Sequence, residues 1–539
     1  MRRANFIFIL LVTWSSCLAQ QTVFTVMQGP EKLGDKAFEK GDYAEAISHY
    51  NQVIARNPGK VPIQLKLARS YHNIKAYEKS VAAYDLVTRQ GGTLDPNDIL
   101  GYAEAQSAMK NYPLAIASYK KYLERDKENE LVSKKVWALN NIMFMLEDSS
   151  HYDVRPMSDI NTKASELGAT ILGNGIIFTS NRKGTRPVDL ASDEPSGPFY
   201  ELYFAEWITD SVTQKRKLSQ KPVRFAKSMG LSYNAGPVAF YSNKTKMVFV
   251  ASASNAGEDG SRTLGLYFAT MEGDRWNLTG PWAYNSEIYS ITDVSINEDG
   301  TRMYFSSDMK GGAGGKDIYT STLSNGTWSK LVNLGDVINT SGDEAFPYLH
   351  RNGTLYFSSN GLAGMGGLDI FQSIVKPQGF SEPENIGYPI NSNGDDFGLS
   401  FDSLATRGYF TSNRLNGGLD DDIYEFGMDL QTYPFRMNGV LLSKEHRWSD
   451  TLDIEKWPNV KLGLIDTWQD VQVQETTSGS DGSFTFTIPY FSRYHILITD
   501  GSGNQHKASL ELEKYRTEAN RYEIVVIKDL FAEIKEPEK

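Results

Sequence analysis

The sequence predicts a multidomain α + β protein with three regions in series: N-terminal α-helical repeats, a central β-propeller and a C-terminal β-sandwich. Three observations support this prediction. A helical unit recurs every 34 or 35 residues near the N-terminus, and an aromatic strand unit recurs every 52 or 53 residues in the middle of the chain. Strands that alternate polar and apolar residues follow. A chain of 539 residues has room for about three domains.

The composition is that of a folded, acidic protein. Hydrophobic residues make up 40% of the chain, and 66 Asp and Glu outnumber 55 Lys and Arg, giving a net charge of −11. This balance lacks the basic surface of a nucleic-acid-binding protein, so no nucleic-acid partner is expected. The single cysteine, Cys17, excludes an intramolecular disulfide and a cysteine-based zinc site.

Residues 1–19 are predicted to be a signal peptide. A basic start is followed by an uninterrupted apolar run at 6–12, which is too short to span a membrane. Small residues at the cleavage position favour a cut after Ala19, which leaves Gln20 first. The alternative is lipidation of Cys17. Either way the mature protein is expected to be exported and peripheral to the membrane.

Residues 20–148 show helical periodicity with an internal repeat. Each copy places a small residue four positions before a tyrosine, so both lie on one helix face, where a neighbouring helix can approach closely. The three pairs are Ala46 with Tyr50, Ser80 with Tyr84, and Ala115 with Tyr119. Gly34 and Ala68 are expected at tight helix crossings. The pattern resembles the tetratricopeptide repeat, with a final helix near 131–146 as a cap.

Residues 150–428 predict short strands separated by Gly, Asn and Asp turns. The clearest copies of the repeated unit begin at Tyr304, Tyr356 and Tyr409, and weaker copies lie upstream. Because one small sheet cannot bury both of its faces, a radial arrangement of such sheets is expected. We count five blades, with six as the alternative. The unit resembles the PD40, or WD40-like, propeller repeat.

Residues 435–530 predict a small sandwich of strands, followed by a charged tail at 531–539. The strands expected here include 438–442 and 483–489, the latter strictly alternating. Their order resembles the carboxypeptidase regulatory-like, transthyretin-like domain.

The order of these parts resembles the PorE-like, OmpA-family periplasmic proteins of Bacteroidota. The resemblance implies association with the outer membrane and a scaffolding role in a type IX secretion or gliding assembly. Outer-membrane or secretion-machinery proteins are then the expected partners. Family members usually end in an OmpA-like domain that binds peptidoglycan. This chain stops at Lys539 without one, so direct peptidoglycan binding is not expected.

No motif predicts catalysis. The seven histidines show no metal-ligand spacing, and neither a nucleophile elbow nor a phosphate-binding loop occurs. The glycines at 311–315 lie between two predicted strands and are expected to form a blade turn. The chain is therefore predicted not to be an enzyme and to need no cofactor.

Acidic loops at 338–344 and 390–396 match each other at the blade spacing, and Asp420, Asp421 and Asp422 precede the last blade strand. Oxygen-rich loops of this kind can hold calcium. The favoured interpretation is that Asn, Asp and Gly shape the turns between blades through side-chain hydrogen bonds.

The helical repeats are predicted to hold a partner-binding groove. Its residues, by register, are Asp35, Phe38, Arg69, His72, Glu104 and Ser107. Only Arg69 and Lys66 are available as cations, so a clamp for a C-terminal carboxylate is not expected. The sequence thus predicts a non-enzymatic exported scaffold that binds partner proteins at the periplasmic side of the outer membrane. A peptide- or carbohydrate-binding propeller protein is the first alternative, and a propeller-based hydrolase is the second.

Overall fold

The computed structural model describes residues 29–147, 152–182, 199–209, 216–230, 234–253, 262–376, 378–402, 406–415, 418–428, 435–444, 454–467, 470–488, 494–510, 520–527 and 532–535. The signal-peptide prediction and Cys17 lie outside these residues. Among the helices described, none combines the length and the apolar character that crossing a bilayer requires.

The N-terminal region is an array of antiparallel helix pairs. Its described helices are α1 Pro30–Glu39, α2 Tyr43–Arg56, α3 Val61–Asn73, α4 Tyr77–Arg89, α5 Pro96–Ala108, α6 Tyr112–Leu123, α7 Glu130–Asn140 and α8 Ile142–Glu147. The single cap helix expected at 131–146 is wrong. A turn at Asn141 divides it into α7 and α8, and the backbone N–H of Asn141 bonds the carbonyls of Trp137 and Ala138.

The predicted small-and-aromatic pairs form the core of this array. Tyr50, Tyr84 and Tyr119 are buried, as are the small residues that precede them. A Cβ on Gly34 would lie 2.6 Å from the Tyr50 ring, so α1 and α2 could not cross this closely with any side chain there. The 34-residue spacing therefore predicted the helix packing correctly.

The β region from 152 to 428 contains five sheets among its described residues. The first holds β2 Glu166–Leu172, β3 Gly175–Ser180, β4 Glu201–Thr209, β5 Arg216–Leu218 and β6 Val223–Arg224. The second holds β7 Ala235–Tyr241, β8 Lys246–Ser252, β9 Leu264–Glu272 and β10 Arg275–Pro281. The third holds β11 Ile291–Ile296, β12 Arg302–Ser307, β13 Asp317–Ser324, β14 Thr327–Trp328 and β15 Val332–Asn333.

The fourth sheet holds β16 Glu344–Leu349, β17 Thr354–Ser359, β18 Asp369–Ile374 and β19 Glu384–Asn385. The fifth holds β20 Asp396–Phe401, β21 Arg407–Ser412, β22 Asp422–Met428 and, as its outer strand, β1 Tyr152–Pro156. The first strand of the region thus pairs antiparallel with the last strand, β22. This pairing fastens the two ends of the region together.

The five sheets form a closed ring of blades. Their inner strands β2, β7, β11, β16 and β20 contact one another in that order, and β20 contacts β2. A hydrophobic cluster fills each space between neighbouring blades, including the space between the fifth and the first, where Tyr409 and Ile423 pack with Phe178. Motif strands such as β12 are buried on both faces because each blade is covered on two sides.

Asparagine side chains link one blade to the next. Asn391 accepts a hydrogen bond from the Ile370 N–H at 2.7 Å and donates to the Ile370 carbonyl at 2.8 Å. Asn161, Asn285 and Asn339 make the same pair of bonds to the third strand of the preceding blade. An amide side chain can do this because it carries one acceptor and one donor, as a peptide group does.

The described C-terminal residues form two sheets that share one hydrophobic cluster. One sheet contains β23 Phe435–Lys444, β24 Ile454–Lys456, β27 Ser483–Ile488, β30 Asn520–Ile527 and β31 Ala532–Lys535. The other contains β25 Lys461–Asp466, β26 Val471–Thr477, β28 Tyr494–Thr499 and β29 Gln505–Leu510. The tail predicted at 531–539 is wrong in part, because β31 pairs with β30. The regulatory-like assignment stays a prediction.

Candidate functional site

The first helices of the repeats, α1, α3 and α5, together with α7, carry a row of ion pairs. We call this row the groove ladder; its residues are Asp35, Lys66, Arg69, Asp98, His72, Glu104 and Lys135. Each pair joins one first helix to the next first helix. Four of the six residues predicted for the groove are members of the ladder.

At the α1 end, Asp35 accepts from Lys66 Nζ at 2.7 Å and from the Tyr50 hydroxyl at 2.9 Å. Partial burial alone would raise the pKa of Asp35, but these two donors outweigh it and the pKa is lowered. About a third of each side chain in the Asp35–Lys66 pair is exposed. Because exposed pairs of this kind contribute little to stability, the groups can exchange one partner for another at small cost.

In the middle of the ladder, Arg69 binds Asp98 with two parallel hydrogen bonds. Nε lies 2.6 Å and Nη2 2.8 Å from the two carboxylate oxygens, and Asp95 accepts from Nη2 at 2.7 Å. The Asp98 side chain is 0% exposed and also caps the start of α5 with Asp95. Bidentate bonds to a buried carboxylate raise the pKa of Arg69 and hold the guanidinium in one geometry.

At the far end, Glu104 lies between His72 and Lys135. His72 Nε2 is 3.2 Å and Lys135 Nζ 3.3 Å from its two oxygens. Burial would raise the pKa of Glu104, but the charge of Lys135 and the contact with His72 lower it to about 2. This carboxylate therefore stays ionised and holds the side chains of His72 and Lys135 in place.

The two remaining predicted residues differ. Phe38 is half-buried and packs edge-on against Tyr43, with ring centroids 5.3 Å apart. Ser107 is only 8% exposed, so its prediction as a groove-lining residue is wrong. Ser107 lies one helical turn beyond Glu104, and its side chain is directed towards the core of the array.

Sequence reasoning missed Asp98 and Lys135. The separation of the partners along the sequence could have identified these two residues. Arg69 and Asp98 are 29 positions apart, and Glu104 and Lys135 are 31 positions apart, which is close to the length of one repeat. Lys66 and Arg69, the two cations named in the sequence analysis, are paired with Asp35 and Asp98 within the array.

The propeller contains a second candidate site, a central cavity of about 1010 Å³ lined by the inner strands of all five blades. Every inner strand has a β-bulge at an equivalent position, where the register with its neighbour shifts. The residues in left-handed conformation at these bulges are Gly168, Gly236, Asp293, Phe346 and Gly398. Three are glycines, as this conformation favours.

Asp293 and Phe346 are the two exceptions, with φ angles of 40° and 50°. Asp293 is 6% exposed and accepts from Thr292 Oγ1 at 3.0 Å, and burial raises the pKa of its carboxyl. A Cβ on Gly398 would lie 3.6 Å from the Phe346 ring, so Phe346 reaches the neighbouring blade. Non-glycine residues in this conformation often mark functional sites.

The acidic loops predicted for turns or calcium are occupied by protein donors. Glu344 accepts from the Thr340 N–H at 2.7 Å and from the Thr340 hydroxyl at 2.7 Å. Asp396 is bonded in the same way by Ser392. Within the residues that can be described, no three His, Cys, Asp or Glu residues lie together as metal ligands would. The bonds are those expected of the turn-forming interpretation.

The glycine-rich segment 311–315 lies between β12 and β13, as expected of a blade turn. The N–H groups of Ala313 and Gly314 donate to the carboxylate of Asp317 at 2.7 and 3.1 Å. A Cβ on Gly314 would lie 2.1 Å from the carbonyl oxygen of Gly342. The close approach of two backbones explains why glycine is needed here.

Comparison with known proteins identifies the helical region. The tetratricopeptide repeat family matches residues 37–97. Over 118 residues the chain is 30% identical to the Hsp70-Hsp90 organizing protein 3 of Arabidopsis thaliana, a match that covers 21% of this chain and 20% of that protein. The chain thus spans about a fifth of the length of this curated relative. Tetratricopeptide repeats in general indicate protein–protein interaction.

Solved structures match over a larger part of the chain, with low similarity. The propeller domain of the trilobed protease from Pyrococcus furiosus is 10% identical at a TM-score of 0.24, covering 66% of this chain and 99% of that one. A protein of unknown function from Dyadobacter fermentans is 9% identical at 0.29, covering 52% and 98%. The glycosidase CoXyl43 from a compost metagenome is 11% identical at 0.31, covering 56% and 98%. The propeller assignment therefore rests on the ring of sheets described above.

Proposed function

We propose that this protein is a non-enzymatic scaffold that is exported and binds partner proteins at the periplasmic side of the outer membrane. The observation that supports binding is the groove ladder, a continuous polar row on a tetratricopeptide array. Its pairs are partly exposed, and the half-buried ring of Phe38 lies on the same helix, α1, as Asp35. A partner helix or extended peptide could exchange hydrogen bonds with this row and cover the ring.

The proposed location and partners come from the sequence resemblance. Outer-membrane or secretion-machinery proteins of a type IX assembly are the proposed partners, and no catalytic step is part of the proposal. The rigid helical array and the closed ring of blades would hold partners at a fixed spacing.

Co-purification from native cell envelope tests this proposal. The full chain, tagged after Lys539, is isolated in mild detergent and its associated proteins are identified by mass spectrometry. The matched variants are Phe38→Ala in the groove and Leu86→Ala on α4, where the leucine is exposed. We expect envelope proteins in near-equal amount with the wild type and with Leu86→Ala, and at least a tenfold loss with Phe38→Ala.

Circular dichroism of both variants checks that the helices remain folded. A wild-type protein that elutes alone would contradict the scaffold proposal. Equal recovery of partners with Phe38→Ala and Leu86→Ala would show that the groove is not the surface that binds them.

The central cavity supports a second candidate function, the binding of a peptide or carbohydrate in the propeller. Its volume of about 1010 Å³ is at the upper end of ordinary ligand sites. The specific observation is the pair Asp293 and Phe346, which keep side chains where three blades have none. Ligand-dependent thermal stabilisation that is lost in Phe346→Gly would support this function. Stabilisation that survives the substitution would place the ligand elsewhere.

A further inference from the structure

Two of the three acidic segments singled out in the sequence lie near one lysine in the structure. Asp395 belongs to the loop before β20, and Asp421 immediately precedes β22. The ammonium of Lys75, from the turn between α3 and α4, bonds Asp395 directly, and Asp421 is near enough for its charge to act on the same ammonium. Asp395 is 8% exposed, so the carboxylate is largely removed from water. A lysine of the helical array thus occupies an acidic pocket of the propeller.

Lys75 has equivalents in the other repeats that allow comparison. Gly41, Lys75 and Lys110 occupy the same turn between the two helices of each pair, all with positive φ. Lys110 is exposed and its side chain forms no hydrogen bond or ion pair within the described residues, whereas Lys75 reaches the propeller. The strained turn conformation is therefore shared, and the contact with a carboxylate belongs to Lys75.

Asp395 also has an equivalent, in the neighbouring blade. Asp343 accepts from the Lys316 N–H at 2.9 Å, and Asp395 accepts from the Leu368 N–H at 3.0 Å. Each carboxylate is also bonded by an asparagine of the following strand end, Asn360 or Asn413. The blade architecture accounts for these shared bonds. The blade architecture does not account for the contact with a lysine side chain. Among the described residues, Asp395 forms this contact and Asp343 does not.

Two further contacts join the same surfaces. The Asn393 side-chain amide donates to the Ala108 carbonyl, at the turn between α5 and α6. Gly418 has a φ of 87°, and a Cβ there would lie 3.2 Å from the Tyr77 ring and 3.3 Å from the Lys75 carbonyl. Two turns of the helical array therefore lie against propeller loops on both sides of the last blade.

The charges in this contact compensate one another. Burial alone would lower the pKa of Lys75, but Asp395 and Asp421 outweigh it and the pKa is raised. Burial raises the pKa of Asp421, and the Lys75 charge opposes that rise. A buried charge is costly without an opposite one, so removing the lysine would leave the largely buried carboxylate of Asp395 without its cation, near a second acid, Asp421.

We propose that Lys75 and the Asp395–Asp421 pocket form a latch that docks the helical repeats on the last propeller blade. The pocket is filled by this chain's own lysine, where the sequence suggested a metal ion as the alternative. The latch fixes the direction in which the groove ladder faces relative to the central cavity. A partner bound in the groove is then held in a defined orientation to the propeller, which goes beyond the proposed binding function.

Distance measurement between spin labels in the full chain tests the latch. Labels are placed at Lys120 on α6 and at Ile288 in the propeller, both exposed, in a Cys17→Ser background. We expect a narrow distance distribution for the wild type and for Lys75→Arg, which keeps the charge. The distribution should broaden at least twofold in Lys75→Gln and in Asp395→Asn, and the double variant should broaden no further.

Lys110→Gln and Asp343→Asn are the matched controls, because they change the equivalent turn and the equivalent carboxylate. Both should retain the narrow distribution. Unchanged distributions in Lys75→Gln would show that other contacts hold the two regions, and equal broadening in Lys110→Gln would make the effect a general property of the turn. Either result would overturn the proposal. Circular dichroism and thermal unfolding of each variant confirm that the regions stay folded.

Discussion

The helical array and the propeller are both built from repeats, yet they place their polar residues differently. In the helical array, the ion pairs that join successive repeats lie on one face and are partly exposed. In the propeller, the asparagines that join successive blades bond main-chain groups; Asn339 and Asn391 are buried, and Asn161 and Asn285 are partly buried. The first arrangement leaves polar groups available to a partner. The second uses them to hold the ring closed.

This difference explains why similar sequence signals have different meanings in the two regions. Acid-rich loops that recur at the blade spacing serve the architecture, since Thr340 bonds both oxygens of Glu344, and Ser392 and Arg414 bond the two oxygens of Asp396. The members of the groove ladder do not recur as identical residues, because each pair has its own chemistry. Positions that depart from their repeat are therefore the better indicators of binding, and Asp293 and Phe346 are such positions.

The largest expected effect follows from removing an inter-blade link. Asn391→Ala leaves the N–H of Ile370 buried without its partner, whereas the Ile370 carbonyl keeps the bond from the Ile386 N–H. At roughly 1–3 kcal/mol for a buried orphaned group, and because the Asn391 bonds to the Ile370 carbonyl and to Asn385 are lost as well, we expect the free energy of unfolding of the propeller to fall by about 3 kcal/mol. Urea unfolding followed by tryptophan fluorescence measures this loss.

Asp35→Asn is the matched change in the helical array. It removes the charge that Lys66 contacts at the exposed end of the ladder, and we expect a loss of under about 1 kcal/mol. Far-UV circular dichroism during urea unfolding reports on the helices. If the two substitutions cost the same, the contrast between buried and exposed links would be wrong.

The fold could be predicted largely from spacing. Tyr50, Tyr84 and Tyr119 identified the helix packing because the repeat keeps a small residue four positions before each tyrosine. The five blades were countable because three copies are almost identical. The pairing of β1 with β22 was not predictable, since residues 152–156 carry no copy of the blade motif and join the ring only through chain closure.

A second expected effect concerns pH and compares equivalent acids in two blades. Asp369 and Asp317 both accept N–H bonds from a glycine-rich turn. Burial, and secondarily the charge of Asp396, raises the pKa of Asp369 to about 8. An unfolded aspartate titrates near about 3.9, so the folded state holds a proton that the unfolded state has lost.

The folded state is therefore favoured at low pH, and this contribution disappears as pH rises towards 8. Between about pH 5 and about pH 7, we expect wild-type stability to fall by roughly 2–3 kcal/mol relative to Asp369→Asn, at 1.36 kcal/mol per pH unit. Urea unfolding of the propeller across this range measures the slope. Asp317→Asn is the control, and an identical slope for both variants would contradict the assignment to Asp369.

The candidate site was less accessible to sequence reasoning than the fold. Register arguments placed Asp35, Arg69, His72 and Glu104 on one face, and all four take part in the ion pairs of the groove ladder. They failed for Ser107 because a face predicted from three repeats does not fix the rotation of each helix. The bulges at Asp293 and Phe346 could not be recognised in the sequence, since only three of the five equivalent positions carry the glycine that a left-handed conformation favours.

The smallest expected effect uses the shared turn of the repeats. Lys110 has a φ of 59° and is exposed, so Lys110→Gly relieves an unfavourable conformation without removing a side-chain hydrogen bond or ion pair to any described residue. The left-handed conformation costs an L-residue about 1–2 kcal/mol, part of which glycine returns as added freedom of the unfolded chain. We expect a net stabilisation of the helical array of about 0.5–1 kcal/mol, measured by urea unfolding with far-UV circular dichroism.

Lys75→Gly relieves the same conformation at φ 59° but also empties the pocket of Asp395. Because the gain and the loss are of similar size, we expect a net change near zero. The difference between the two variants therefore isolates the contact of Lys75 from the strain that both turns share. If Lys75→Gly and Lys110→Gly stabilise the helical array equally, the contact of Lys75 contributes nothing to the stability of that array. The loss of the contact would then affect only the stability of the propeller.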